Sequence, residues 1–200
     1  MPQFDLRHIY AAKYVNTDGA ISYTNPTQVG DAMTANIELR YAEGRLYAES
    51  TLAEYMRKAV GGTISLGVKY ILTDAQKLLF GSREKSRSIS YTPTGGSTST
   101  TESVEGLAIG GKEEGAYVGV AFYAPDMVDG VRKYTCVLVH KALFGPPGMS
   151  LQTAGENIQF NTPTTSGEFL ADDSANQDLI EVATVEDEQA AIAWVTAVLV

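Results

Sequence analysis

The residues able to do covalent or metal chemistry are few and scattered. The chain has two histidines, His8 and His140, and one cysteine, Cys136. A hydroxyl or thiol nucleophile needs a base beside it, and an imidazole is the usual one. Both histidines fall in strand-like stretches, His140 shortly after Cys136, Leu138 and Val139, so a structural or surface role is the expectation for each. A single cysteine allows no intrachain disulfide and no cysteine-based zinc site within one chain. Asp172, Ser174, Asn176 and Asp178 stand at alternate positions, as the oxygen ligands of a calcium loop do. That loop also needs Gly at its sixth position and a bidentate carboxylate at its twelfth, where this sequence has Gln177 and Ala183. The run therefore reads as a solvated acidic turn. Walker-type phosphate cradle, dinucleotide fingerprint, nucleophile elbow and zinc-protease helix are all missing from the sequence. No catalytic, cofactor-binding or metal-binding residue is nominated, no cofactor is expected, and the expectation is a protein that is not an enzyme.

Charge is distributed unevenly. The 200 residues carry a formal charge of −9, yet residues 1–141 hold 15 acidic and 15 basic side chains, and residues 142–200 hold 9 acidic and no basic ones. Gripping nucleic acid rests on Lys and Arg neutralising phosphates, so a net-acidic chain with no basic cluster is a poor candidate for it. The start has no apolar leader-like run, and the longest nearly apolar stretch, Ala190–Val200, is shorter than the ~20 residues a membrane span needs. No membrane partner and a cytoplasmic site of synthesis are expected.

Period-two alternation dominates the elements that must carry these side chains. Met33, Ala35, Ile37 and Leu39 alternate with Thr34, Asn36, Glu38 and Arg40, the pattern of a strand with one face on a core and the other in water. Thr63–Val68, Tyr117–Ala124 and Lys133–Lys141 alternate similarly, and further strands are expected at Phe4–Val15, Glu156–Phe160, Thr164–Leu170 and Leu179–Ala183. Asp18-Gly19 and Asp129-Gly130 supply the positive φ angles that tight hairpin tips require. Thr73 with Gln76 reads as a capping box opening a short helix that Gly81 ends, and a C-terminal helix is expected over 184–198, with Ala191, Trp194, Val195 and Val198 on its docking stripe. Thr51–Val60 is ambiguous on local grounds between helix and strand. The pattern predicts one mainly β domain over 1–200, an antiparallel sandwich or barrel with a short flanking helix and a C-terminal helix.

The stretch from Thr92 to Gly111 cannot bury itself, because thirteen of its twenty residues are Ser, Thr or Gly. The surrounding residues 82–116 are expected to form a long polar loop, either an arm that orders against a neighbouring molecule or an inert linker. Tyr91, Thr92, Val104, Leu107 and Ile109 are the candidate contact residues of such an arm.

Four stretches, taken in order, resemble the major tail proteins of long, non-contractile-tailed bacteriophages. They are Arg45–Ser50 with Leu52–Tyr55, followed by Gly61–Val68; Tyr117–Tyr123 with Asp129–Tyr134; Ile158–Thr164 with Gly167; and Val185–Trp194, similar to the family's closing helix. The resemblance implies a subunit of stacked rings, six to a ring, whose inner wall is a continuous sheet, with other tail proteins as partners and the virion as location. It also favours strand over helix for Thr51–Val60. Long arms, residues 82–116 and the segment before Phe4, would reach the next subunit or ring. Viral DNA would pass through without sequence-specific binding, and Glu156, Glu168, Asp172, Asp173 and Asp178 are the candidate acidic residues facing the channel. The alternatives are a β-sandwich adhesion or carbohydrate-binding module and a secretion-system tube protein.

Overall fold

The structure is a computed structural model that describes residues 5–128, 130–148 and 162–200. Ten strands and two helices lie among these residues: β1 (Arg7–Thr17), β2 (Ala20–Gly30), β3 (Ala32–Ala48), β4 (Thr51–Val68), α1 (Thr73–Phe80), β5 (Arg83–Tyr91), β6 (Thr100–Ala108), β7 (Val118–Val128), β8 (Val131–Phe144), β9 (Thr164–Leu170), β10 (Ile180–Val185) and α2 (Glu188–Ala197). The main sheet runs β2-β1-β7-β8-β9-β4-β3, with β10 on β8, and β5 and β6 form a separate two-stranded sheet. Every pairing is antiparallel. The fold is thus mainly β with sandwich-like packing and two helices, as the alternation predicts.

β8 is where the sheet divides. Tyr134–Val139 pair with β10, whereas Lys141–Phe144 pair with β9. The sheet curls around a first core in which Ile9, Val29, Ile64, Leu66, Val120, Phe144 and Phe169 meet Leu79 and Phe80 of α1. A second core lies on the opposite face, where Tyr14, Tyr123, Cys136 and Leu138 meet Ala191, Val195 and Leu199 at the C-terminal helix. β7 serves both cores: Val118, Val120 and Phe122 turn to the first, Ala121 and Tyr123 to the second. This double burial explains its nearly continuous apolar run. Each fully buried aliphatic or aromatic side chain contributes roughly 1.5–3 kcal/mol.

Local chemistry sets most boundaries. Asp18 and Gly19 adopt φ of 53° and 86° at the β1–β2 tip, the left-handed pair that a two-residue hairpin loop demands. The β7–β8 hairpin closes with Val128 paired to Val131 and Gly130 at φ 78°, while Asp129 lies outside the described residues. Gly81 ends α1 at φ 64°, its amide donating to the Lys77 carbonyl. Thr51–Val60 is strand, part of β4.

Four expectations need correction. The capping box does not form: Leu72, held extended while its amide donates to Val29, occupies the cap position, and Gln76 donates instead to the Ile71 carbonyl. The C-terminal helix starts later than Thr184, because Thr184 and Val185 pair with Thr135 and Tyr134 and extend β10; Asp187 then caps α2 by accepting from the Gln189 amide at 2.8 Å. Residues 82–116 are not one irregular loop but carry the β5–β6 hairpin, in which the hydroxyls themselves pair across strands, Ser86 with Ser103 and Ser90 with Thr101, each at 2.8 Å. On β3, Ala35 and Ile37 pack on the core as expected, but Met33 and Leu39 are exposed. The expected strand Glu156–Phe160 and the segment before Phe4 lie outside the described residues.

Candidate assembly surfaces

Two ribbons reach beyond the packed body. The first is the outer part of β3 and β4. β9 covers β4 only from Gly62 to Gly67, so among the described residues the two strands pair with each other alone from Tyr41 to Val60. A bulge between Arg40 and Tyr41 marks the departure, and Gly61 beside it takes φ 141° with the Phe169 carbonyl so close that a Cβ would sit 2.6 Å from its oxygen. Only glycine fits that corner. At the far end Glu49 and Ser50 adopt φ of 48° and 64°, a left-handed pair built without glycine at a cost of about 1 kcal/mol each.

The ribbon is rich in exposed large side chains. Leu46, Tyr47, Leu52, Tyr55 and Met56 are all exposed, Met56 at 75%. Strand alternation and register place Tyr41, Glu43, Arg45 and Tyr47 of β3 on one face with Leu52, Tyr55 and Arg57 of β4. This face continues the core side of the sheet, where Ala35 and Ile37 lie. Arg57 stacks on Tyr41 and Arg45 over Tyr55, at 3.7 and 5.7 Å from the ring centroids, and both guanidiniums pair with Glu43. The opposite face carries Ala42, Gly44, Leu46, Glu54, Met56 and Lys58. Residues 41–60 contain three acidic and three basic side chains, so the ribbon is neutral.

The second ribbon is the β5–β6 arm, nine residues per strand, exposed along nearly its whole length. Its register puts Arg83, Lys85, Arg87, Ile89 and Tyr91 on one face with Val104, and the hydroxyl ladder with Leu107 on the other. Among the expected arm contacts, Tyr91 donates to Glu102, Val104 sits opposite Arg87, and Leu107 is half-buried opposite Glu84; Ile109 is exposed just past β6, and Thr92 just past β5. The root is pinned by Lys77–Glu84 at 2.5 Å and Arg83–Glu113 at 3.3 Å. Ser82 Oγ and Glu113 Oε2, both in this root, are buried with no hydrogen-bond partner among the described residues.

The acidic candidates separate. Glu156 lies outside the described residues. Glu168 is exposed on β9, 3.8 Å from Arg40. Asp172 is 6% exposed and is corrected from a channel-facing residue to an internal anchor: its Oδ1 accepts from the amides of Ser174 and Asp178 and from the Ser174 hydroxyl. The alternate-residue spacing that resembles a calcium loop is therefore the spacing of a turn folded around its own first carboxylate. Asp173 accepts from Tyr14 Oη at 2.9 Å and from Lys141 Nζ at 2.8 Å, and the lysine holds its carboxyl below the ordinary value. Asp178 is exposed at the end of the turn.

The nearest approach to a catalytic grouping is here too. His140 Nδ1 lies 3.2 Å from Tyr23 Oη and 3.7 Å from Asp172 Oδ2. Both partners converge on one ring nitrogen, whereas a relay uses the two nitrogens for different partners. Burial pushes the Tyr23 phenol far up, with Asp172 adding to it. The Cys136 thiol is buried and pushed up to about 11 by desolvation, the opposite of an activated nucleophile. Beside this cluster, Tyr23, Leu138, His140, Asp178, Glu181 and Val198 help line an open cleft of about 330 Å³. No helix among the described residues is long and apolar enough to cross a membrane. Neither a protein-family model nor a curated protein matches this chain.

Proposed function

We propose that the protein is a structural subunit that polymerises as stacked six-membered rings into the tail tube of a long, non-contractile-tailed bacteriophage, a conduit for genome delivery. The observation that carries this reading is the β3–β4 ribbon. Two isolated strands are marginal in water, and an open edge flanked by Leu46, Tyr47, Leu52 and Met56 invites pairing with another chain. A monomeric protein blunts such edges, and a ring former uses them for closure. The segments that resemble the tail proteins, Arg45–Tyr55 and Gly61–Val68, make up much of this ribbon and its root. Side by side, such ribbons would form a continuous inner wall, and their balanced charge gives DNA phosphates no basic surface to grip. The neutral ribbon, rather than the buried Asp172 and the neutralised Asp173, would let DNA slide.

Three exposed tyrosines on one ribbon face favour a second reading, a carbohydrate-binding module. Against it, the rings of Tyr41 and Tyr55 already carry guanidiniums where a sugar would stack. Negative-stain microscopy of concentrated full-length protein separates the two. Rings or tubes roughly a hundred ångströms across, the scale of six such domains around a channel, are expected. A protein that stays monomeric at millimolar concentration and binds glycans on an array overturns the tube reading.

A further inference from the structure

The β5–β6 arm carries three acidic and three basic side chains, but one face is unbalanced, with Arg83, Lys85 and Arg87 against Glu102 alone. Lys77 pairs with Glu84 and Arg83 with Glu113 at the root, but Lys85 and Arg87 have no carboxylate within 4 Å among the described residues, and they share a face with Ile89, Tyr91 and Val104. A two-stranded ribbon with solvent on both faces buries too little to hold itself rigid. The excess of cations on that face and the open strand edges ask for an acidic partner that also offers a strand.

The chain itself has such a surface. β10 pairs with β8 on one side and with no strand on the other among the described residues. Glu181 and Val182 on it are exposed, Val182 at 61%. Glu181 also lines the cleft of about 330 Å³ with Asp178, and no lysine or arginine is among the residues that line it. The segment from residue 142 to the end carries no lysine or arginine of its own, and the β8 lysines that reach it, Lys133 and Lys141, pair with Glu186 and Asp173 rather than with Asp178 or Glu181.

We infer that β5 of one copy runs along the open edge of β10 in a second copy, with Lys85 and Arg87 entering the cleft that Asp178 and Glu181 line. This rests on the assembly reading above and names the acceptor for the arm. The pairing joins two open strand edges through backbone hydrogen bonds, and the charges fix which edge meets which. It also accounts for the split in charge along the chain: the acid-only segment supplies the receptor and the balanced segment supplies the arm.

Charge reversal in the full-length chain tests it. All four side chains are exposed in the isolated subunit, so the variants are expected to fold with unchanged circular dichroism and melting. Lys85→Glu with Arg87→Glu, and separately Asp178→Lys with Glu181→Lys, should each raise the concentration needed for assembly at least tenfold. The quadruple variant, with the charges exchanged, should restore it. Normal assembly of either double variant, or no rescue in the quadruple variant, overturns the inference while leaving the tube reading intact. A wild-type protein that gives only monomers overturns both.

Discussion

The Arg57 guanidinium lies 3.7 Å from the centroid of the Tyr41 ring, and its Nε is 3.5 Å from Glu43. A tyrosine at the root of the ribbon is thus capped by an arginine whose charge is matched by a carboxylate directly across the strand pair. The three side chains make one short length of a ribbon with no core of its own cohere.

That arrangement predicts local rather than global coupling. Tyr41→Ala and Arg57→Ala should each speed amide hydrogen exchange in the outer ribbon, and a double-mutant cycle on those rates should give about 0.5–1 kcal/mol of coupling, the range of exposed cation–π pairs. The urea midpoint of the whole domain should hardly move, because the ribbon opens without disturbing either core. A large shift of that midpoint would show the ribbon to be part of the cooperative unit.

Asp172 should behave in the opposite way. Its carboxylate is buried and satisfies two amides and a hydroxyl, so Asp172→Ala leaves those donors unpartnered inside the turn. A loss of roughly 2–4 kcal/mol in urea unfolding is expected, with Asp172→Asn costing less because an amide oxygen still accepts. A change below about 0.5 kcal/mol would mean that water replaces the anchor.

The strands were legible in the sequence where both periodicity and turn chemistry pointed the same way. Ile64, Leu66 and Val68 alternate because one face meets Phe169 and the helix α1, and Asp18-Gly19 marks its hairpin because few other pairs adopt those angles. Elsewhere the local pattern spoke of one strand while the answer depended on distant ones. Met33 and Leu39 carry the same alternation as Ala35 and Ile37, but among the described residues they stay exposed. Thr184 and Val185 look like a helix start until Thr135 and Tyr134 are brought alongside. The arm was visible only as composition, since the register that pairs Ser88 with Ser103 has no apolar signal to set it. The inward turn of Asp172 was likewise hidden, because exposed and buried carboxylates are spelled alike.

Glycines at two positions of one sheet should differ sharply. A Cβ at Gly62 would stand well inside van der Waals contact with the Glu38 carbonyl of the paired strand and 2.5 Å from Cζ of the core residue Phe169, whereas at Gly44 it would meet nothing among the described residues within 4 Å. Gly62→Ala should therefore cost 1–3 kcal/mol or more by overpacking, and Gly44→Ala should stay within about 0.5 kcal/mol. Thermal unfolding of the two variants side by side is the check, and equal stabilities would contradict the packing described around Phe169.

The Tyr14–Asp173–Lys141 cluster ties stability to pH at both ends of the range. On the acid side, Lys141 and then Tyr14 hydrogen bonds lower the Asp173 carboxyl from its ordinary 3.8. A depressed carboxylate contributes stability that is present above the unfolded value and is lost as pH falls through the folded one. Lys141→Met should remove most of that contribution, so the melting temperatures of wild type and variant should converge as pH drops below about 4. On the alkaline side, burial is the first cause that raises Tyr14, to about 12, with the Asp173 amide opposing it and the Asp173 carboxylate adding to it, and burial likewise raises Tyr123 to about 12. The unfolded chain then releases phenolic protons near pH 10 that the folded one keeps, so stability should fall between about 10 and about 12. Tyr14→Phe should flatten part of that fall, because it removes a titrating group while keeping the ring against Tyr23. Tyrosinate absorbance followed during the titration distinguishes this from general alkaline unfolding: Tyr14→Phe should delete one late-titrating phenol, and an unchanged late phase would remove Tyr14 from the account.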